Sequence, residues 1–358
     1  MRNLKFTKEK GEAFTRELKT EVNSYFKTNG ISKSGDFRMI VKSSFILLLF
    51  LAPITILAMG AVHSASMLFL LYLISGLGMA GIGMNIMHDA LHGTYSNNRR
   101  LTKIMGYSIN IIGASAEIWK VQHNVLHHTY TNVTDVDDDL NASALLRFSP
   151  DKPKLKLHRF QYLYVWFFYG LMSLVWVTVR DYLRIGRYKK LGFFSKGNEF
   201  KNEIIKASGW KALYFIYGLA LPMIMVPQPW WLVFLAFLSM HFVTGFILSV
   251  VFQTAHVMPS SEFPQPDDEG MIGGNWSVHQ LATTCNYAPK SRIFSWLIGG
   301  LNYQIEHHLM PNVCHVHYRK LSPLVRRLAE KHGMPYYTKR TFLHALYAHM
   351  QMLKTLGA

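Results

Sequence analysis

The chain has 358 residues, half of them hydrophobic and 14% aromatic, with only 16% charged. A soluble globular chain carries about a quarter charged residues, so the composition points to the membrane. Its two cysteines, Cys285 and Cys314, imply neither a disulfide framework nor a zinc–thiolate site. The net charge of +17 fits basic segments lying against anionic lipid headgroups better than it fits nucleic acid.

Residues 1–40 read as a cytoplasmic amphipathic segment, with a helix over 8–28 that puts Phe14, Leu18, Val22, Tyr25 and Phe26 on one side and ends near Gly30. No apolar core with a cleavage site follows, so no cleaved signal peptide is expected. Two runs, Ser43 to His88 and Ala212 to Ser261, contain no Asp, Glu, Lys or Arg. Each is about twice the ~20 residues that cross a hydrocarbon core. Each is therefore read as a hairpin, broken at Gly60–Ser66 and at Val226–Trp230. The expected spans are 42–61, 66–87, 210–226 and 231–256.

Between the hairpins, Leu101 to Trp119 is weakly helical and Thr131 to Asp139 is an acidic loop, expected to be solvated rather than calcium-binding. Residues 159–180 are apolar but crowded with Tyr and Trp, which prefer the interface. A helix lying in the cytoplasmic leaflet is expected there, because a single crossing would separate the histidine groups described next. Two basic amphipathic helices, about 319–332 and 340–355, close the chain. The turns of the hairpins lack Lys and Arg while the termini and 180–211 are rich in both, which puts both termini on the cytoplasmic side. The predicted fold is an all-α integral membrane protein. Four transmembrane helices in two hairpins carry a cytoplasmic helical cap that holds a histidine-rich dimetal site. The main domain covers 41–335, and 336–358 forms a C-terminal helix.

Eight of the seventeen histidines carry the site: His88 and His92, then His123, His127 and His128, then His256, then His307 and His308. Positions i and i+4 share a helix face, so His88 pairs with His92 and His123 with His127. His128 is turned by ~100° and is expected to reach a second ion. Gln304 shares the face of His307 and His308. Eight imidazoles exceed one octahedral ion, so two metals are expected. Nitrogen ligands leave iron, copper and zinc open. Asp89 is a candidate to orient a ligating ring through its second nitrogen. His241, ~22 Å along the helix from His256, and His63, in the far turn, cannot join. His158, His332, His344 and His349 are expected at solvated helix ends, and His279, His315 and His317 in outer-layer or surface roles.

His88-Asp-Ala-Leu-His92, His123-Asn-Val-Leu-His127-His128 and Gln304-Ile-Glu-His307-His308 resemble the three histidine boxes of the integral-membrane fatty acid desaturases. The Gln that opens the third box is similar to the front-end subgroup, and the likeness runs over about 60–335. The resemblance implies a non-haem diiron enzyme in which two iron ions, with O2 as co-substrate, place a cis double bond in a fatty acyl chain. It makes His256 the family's extra ligand and Gln304 a weak ligand or a neighbour of one. The acyl chain would be carried on coenzyme A or a phospholipid. A separate donor, a ferredoxin or cytochrome b5 with its reductase, would supply electrons, since no His-Pro-Gly-Gly haem motif is present. The alternatives on the same scaffold are an acyl hydroxylase or a sphingolipid hydroxylase or desaturase. A haem or metal electron carrier in the membrane stands behind these.

Overall fold

Apolar runs with few charges fold as helices here, because a helix satisfies its own backbone where water is absent. In the computed structural model, which describes residues 4–7, 11–141 and 143–358, nearly every element is helical. Helix α1 (Glu12–Thr28) buries Phe14, Leu18, Val22 and Phe26 as its periodicity predicts; residues 8–10, where the expected helix starts, lie outside the described residues. The strands are two-residue parallel pairs, Lys5–Phe6 with Met271–Ile272 and Asn286–Tyr287 with Thr338–Lys339.

Among the described residues, four helices have the length and composition to cross a membrane: α2 (Phe37–Ala58), α3 (Ala65–Leu91), α4 (Lys156–Lys190) and α5 (Trp230–His256). Three match expected spans, but α4 covers the segment expected to lie in the interface. The expected span 210–226 is not among the four. It ends a helical run made of Glu199–Phe215, Ile216–Ala220 and Leu221–Met225. Glu199, Lys201, Glu203, Lys206 and Lys211 charge its first half, so the uncharged part begins only at Ala212 and falls short of ~20 residues.

The contacts of α4 show where it runs. Near its start, Gln161 donates to the carbonyls of Leu353 (2.8 Å) and Arg147 (3.1 Å). Near its end, Arg184 donates to the carbonyl of Asp138 (2.6 Å). In the middle it crosses α5, where Gly245 lies so close that a Cβ there would meet the Gly170 carbonyl at 2.6 Å. Ser173 donates to the carbonyl of His241 (2.7 Å) at the same crossing. Both ends of α4 are thus tied to segments at the histidine-bearing end of the bundle. At the opposite end the turn after α2 meets the turn before α5, with Gln228 donating to the carbonyl of His63 (2.6 Å).

Two further helices, Tyr318–Lys331 and Phe342–Gly357, close the histidine end near their expected bounds. The first packs Leu321, Val325 and Leu328 in one apolar cluster with α1 residues. His349 of the second donates to the carbonyl of Val257 (2.8 Å), the residue after His256.

Candidate metal centre

The first two histidine groups sit where their helices depart from regular α geometry. Helix α3 widens into a π turn over Ile82–Met87 before His88. Asn85 anchors that turn by donating to the Leu297 carbonyl (3.0 Å). In the second group, Ser115 caps Ala116–Trp119 and the chain continues as a π-helix over Lys120–His127. The backbone N–H of His128 reaches the carbonyl of His123, five residues back, at 2.9 Å. Such π turns recur at functional sites. The third group lies on the short helix Gln304–Leu309, and His256 is the last residue of α5.

These four segments bring all eight histidines together. His88, His92, His123 and His307 form one group, His127, His256 and His308 a second, and His128 stands between them with His307 and His308; within each group the ligand atoms lie within 4.8 Å of one another. The partition differs from the helical expectation. Among the all-histidine groups, His123 and His127 fall apart and His128 lies between them, while His123 and His127 also meet around Asp139.

The donor set fits metal ions on an observation independent of any motif. The Nε2 atoms of His92, His127, His256, His307 and His308 are buried without a hydrogen-bond partner among the described residues. Meanwhile the other ring nitrogen is held in most of these rings. His123 Nδ1 donates to Asp139 (2.8 Å) and His127 Nδ1 to Asp137 (2.9 Å). His256 Nδ1 donates to the Thr283 carbonyl (3.3 Å) and His308 Nδ1 to Gln280 Oε1 (2.8 Å). His307 Nδ1 pairs with the Tyr318 hydroxyl at 3.2 Å. Anchoring one nitrogen leaves the lone pair of the other aimed inward, the arrangement of ligating imidazoles. His123 and His128 even face each other Nε2 to Nε2 at 3.2 Å.

Protonation follows the same logic. Burial first, and repulsion among the rings second, hold His92, His128, His307 and His308 well below the ordinary imidazole range. They are neutral at pH 7, as metal ligands must be. His127 is the exception: burial lowers it, but the Asp137 and Asp139 carboxylates outweigh that and raise it.

Sequence reasoning missed the carboxylates. Asp137 is buried and Asp139 nearly so, contrary to a solvated acidic loop; the turn folds back so that its side chains reach rings 10 and 16 residues earlier. Gln280, Thr131 and Tyr318 were missed as well, and no local spacing announces them. Trp119 stacks on His123 with centroids 4.4 Å apart. Asp89 does not orient a box ring; its carboxylate pairs with His315 and accepts from Thr94 (3.2 Å). His315 in turn meets Lys42 Nζ at 3.1 Å. Gln304 is buried, with neither polar side-chain atom hydrogen-bonded among the described residues. His158 and His349 are buried rather than solvated, the latter bonded to the Tyr169 hydroxyl at 2.8 Å. His241 stays apart, paired with the Tyr214 hydroxyl at 2.7 Å.

Comparison with known proteins decides what kind of site this is. The model of the family described as fatty acid desaturase matches residues 64–340. This chain belongs to the fatty acid desaturase family. The desaturase is 34% identical to an acyl-lipid (8-3)-desaturase of Physcomitrium patens, over 99% of this chain and 74% of the relative. It is 30% identical to an sn-1 linoleoyl-lipid 6-desaturase of a Synechocystis strain, over 99% of this chain and 98% of the relative. An enzyme of the same printed name from Arthrospira platensis is 32% identical over 99% and 95%. The desaturase is therefore an oxidoreductase acting on fatty acyl chains.

Proposed function

We propose that this enzyme is a front-end acyl-lipid desaturase that uses two iron ions held by His88, His92, His123, His127, His128, His256, His307 and His308. The observation that carries this reading is the set of buried, unpaired Nε2 atoms backed by anchored Nδ1 atoms. Redox-active ions at that site supply O2 activation and hydrogen abstraction. Two hydrogens leave adjacent methylenes, and with O2, two electrons and two protons they leave a cis double bond and two waters. The protein's part is to anchor the rings through Asp137, Asp139, Gln280 and Tyr318, and to present the chain along a cavity lined by His88, His123, His307, Met84, Leu248 and Leu301.

The relatives' printed names favour a lipid-linked acyl chain over a coenzyme A thioester. A separate small redox protein supplies the electrons. The enzyme lies in the membrane with α2–α3 and the run ending at Met225 with α5 as two hairpins. Helix α4 enters the leaflet without crossing, which its two tethered ends support. The histidine end faces the cytoplasm, in line with its basic flanks. Expression in a host with defined fatty acids, followed by mass-spectrometric mapping of double bonds, tests the reading. A new double bond at one position counted from the carboxyl end is expected. A hydroxylated product, or an unaltered profile with the protein loaded, would contradict it.

A further inference from the structure

The cavity beside the metal centre has two distinct linings. Met84, Leu248 and Leu301 belong to one apolar cluster. Gln122, Arg180 and Gln253 line the same cavity and are gathered by a single turn, Asp138–Asp139. Gln122 Nε2 donates to the Asp139 carboxylate and Gln253 Nε2 to the Asp139 carbonyl (3.3 Å). Those bonds fix both amides, since a flipped Gln122 would set its carbonyl against a carboxylate. Yet Oε1 of each glutamine is buried without a partner among the described residues, at 6% and 8% residue exposure. A buried acceptor left unpaired is costly, so a ligand donor is the natural complement.

Arg180 is similarly underused. Its guanidinium reaches the Asp138 carbonyl at 3.3 Å, but that carbonyl already takes a 2.6 Å bond from Arg184. Its remaining N–H groups have no hydrogen bond among the described residues. A donor fork beside two free acceptors, opening onto an apolar wall, suits a carbonyl flanked by hydroxyl or amide N–H groups. That is the ester or thioester end of an acyl carrier that supplies the donors itself, through the sugar hydroxyls of a glycolipid or the amide N–H groups of coenzyme A.

We propose that Arg180, Gln122 and Gln253 clamp the carbonyl end of the substrate, with the chain running past His88 and His307 toward Met84 and Leu301. The inference rests on the desaturase reading and deepens it. A polar clamp one side chain away from His123, through Asp139, presents methylenes close to the carboxyl end to the metals, and so sets the position of the double bond.

The test compares binding of two saturated glycosylglycerolipids, one with ester-linked and one with ether-linked chains, to the detergent-solubilised, iron-loaded protein. The wild type binds the ester roughly tenfold more tightly, the size of a hydrogen bond to a charged donor. Arg180→Leu brings the two to parity and spreads the product double bonds over more than one position. Arg180→Lys keeps part of the preference. An ester preference that survives Arg180→Leu overturns the clamp. Should that variant not fold, Gln122→Leu and Gln253→Leu carry the test: several-fold weaker ester binding in each supports the clamp, and unchanged affinity in both overturns it. An acyl-coenzyme A and its S-alkyl analogue, run in parallel, show which carrier the clamp takes. Binding needs no turnover, so a wild type that forms no double bond would sink the desaturase reading while this comparison still decides the clamp.

Discussion

Asp137 and Asp139 do for the second histidine box what no residue of the boxes does: each holds a ring by Nδ1 and points Nε2 inward. Removing such an anchor typically costs 10–100-fold in metal affinity. Asp139→Ala is therefore expected to lose iron to a competing chelator at concentrations that spare the wild type. Asp135→Ala, at an exposed position of the same turn, should retain it. Equal retention in the two variants would remove Asp139 from the site. The eight histidines were legible because their spacing and their position at the ends of apolar runs are local signals. The carboxylates were not, because their role depends on a turn folding back over the rings. The same holds for Gln280, whose contact with His308 spans 28 residues, and for Asp89, which His315 draws away from the rings.

Among the elements, the crossing of α4 over α5 decides the shape of the cavity, because Met172 and Trp176 of α4 face Leu248 and Phe252 of α5 across it. The approach depends on Gly245, where a Cβ would meet the Gly170 and Tyr169 carbonyls at 2.6 and 2.8 Å. Gly245→Ala is expected to destabilise the folded protein by about 1–3 kcal/mol through overpacking. Gly186→Ala, with nothing within 4 Å of the new methyl, should be neutral or gain up to ~1 kcal/mol of helix preference. Thermal unfolding of both variants in detergent checks the contrast, and a Gly245→Ala midpoint equal to that of Gly186→Ala would contradict it. Helix positions were readable from hydropathy, and α2, α3 and α5 begin and end within a few residues of expectation. The π turns were not, since an extra residue in a helix leaves no mark on composition, although they carry the first two histidine groups.

Across the whole molecule, the turn after α2 and the turn before α5 meet at one end through Gln228 and His63, and four separate segments meet at the other to build one histidine centre. The family likeness covers residues 64–340, a range that includes all eight gathered rings. The proposed function has these rings hold two ions rather than one. Metal analysis of gently purified protein from iron-replete cells tests this most directly. The account predicts two irons per chain and no Soret band; one ion per chain, zinc alone, or a Soret band would contradict it.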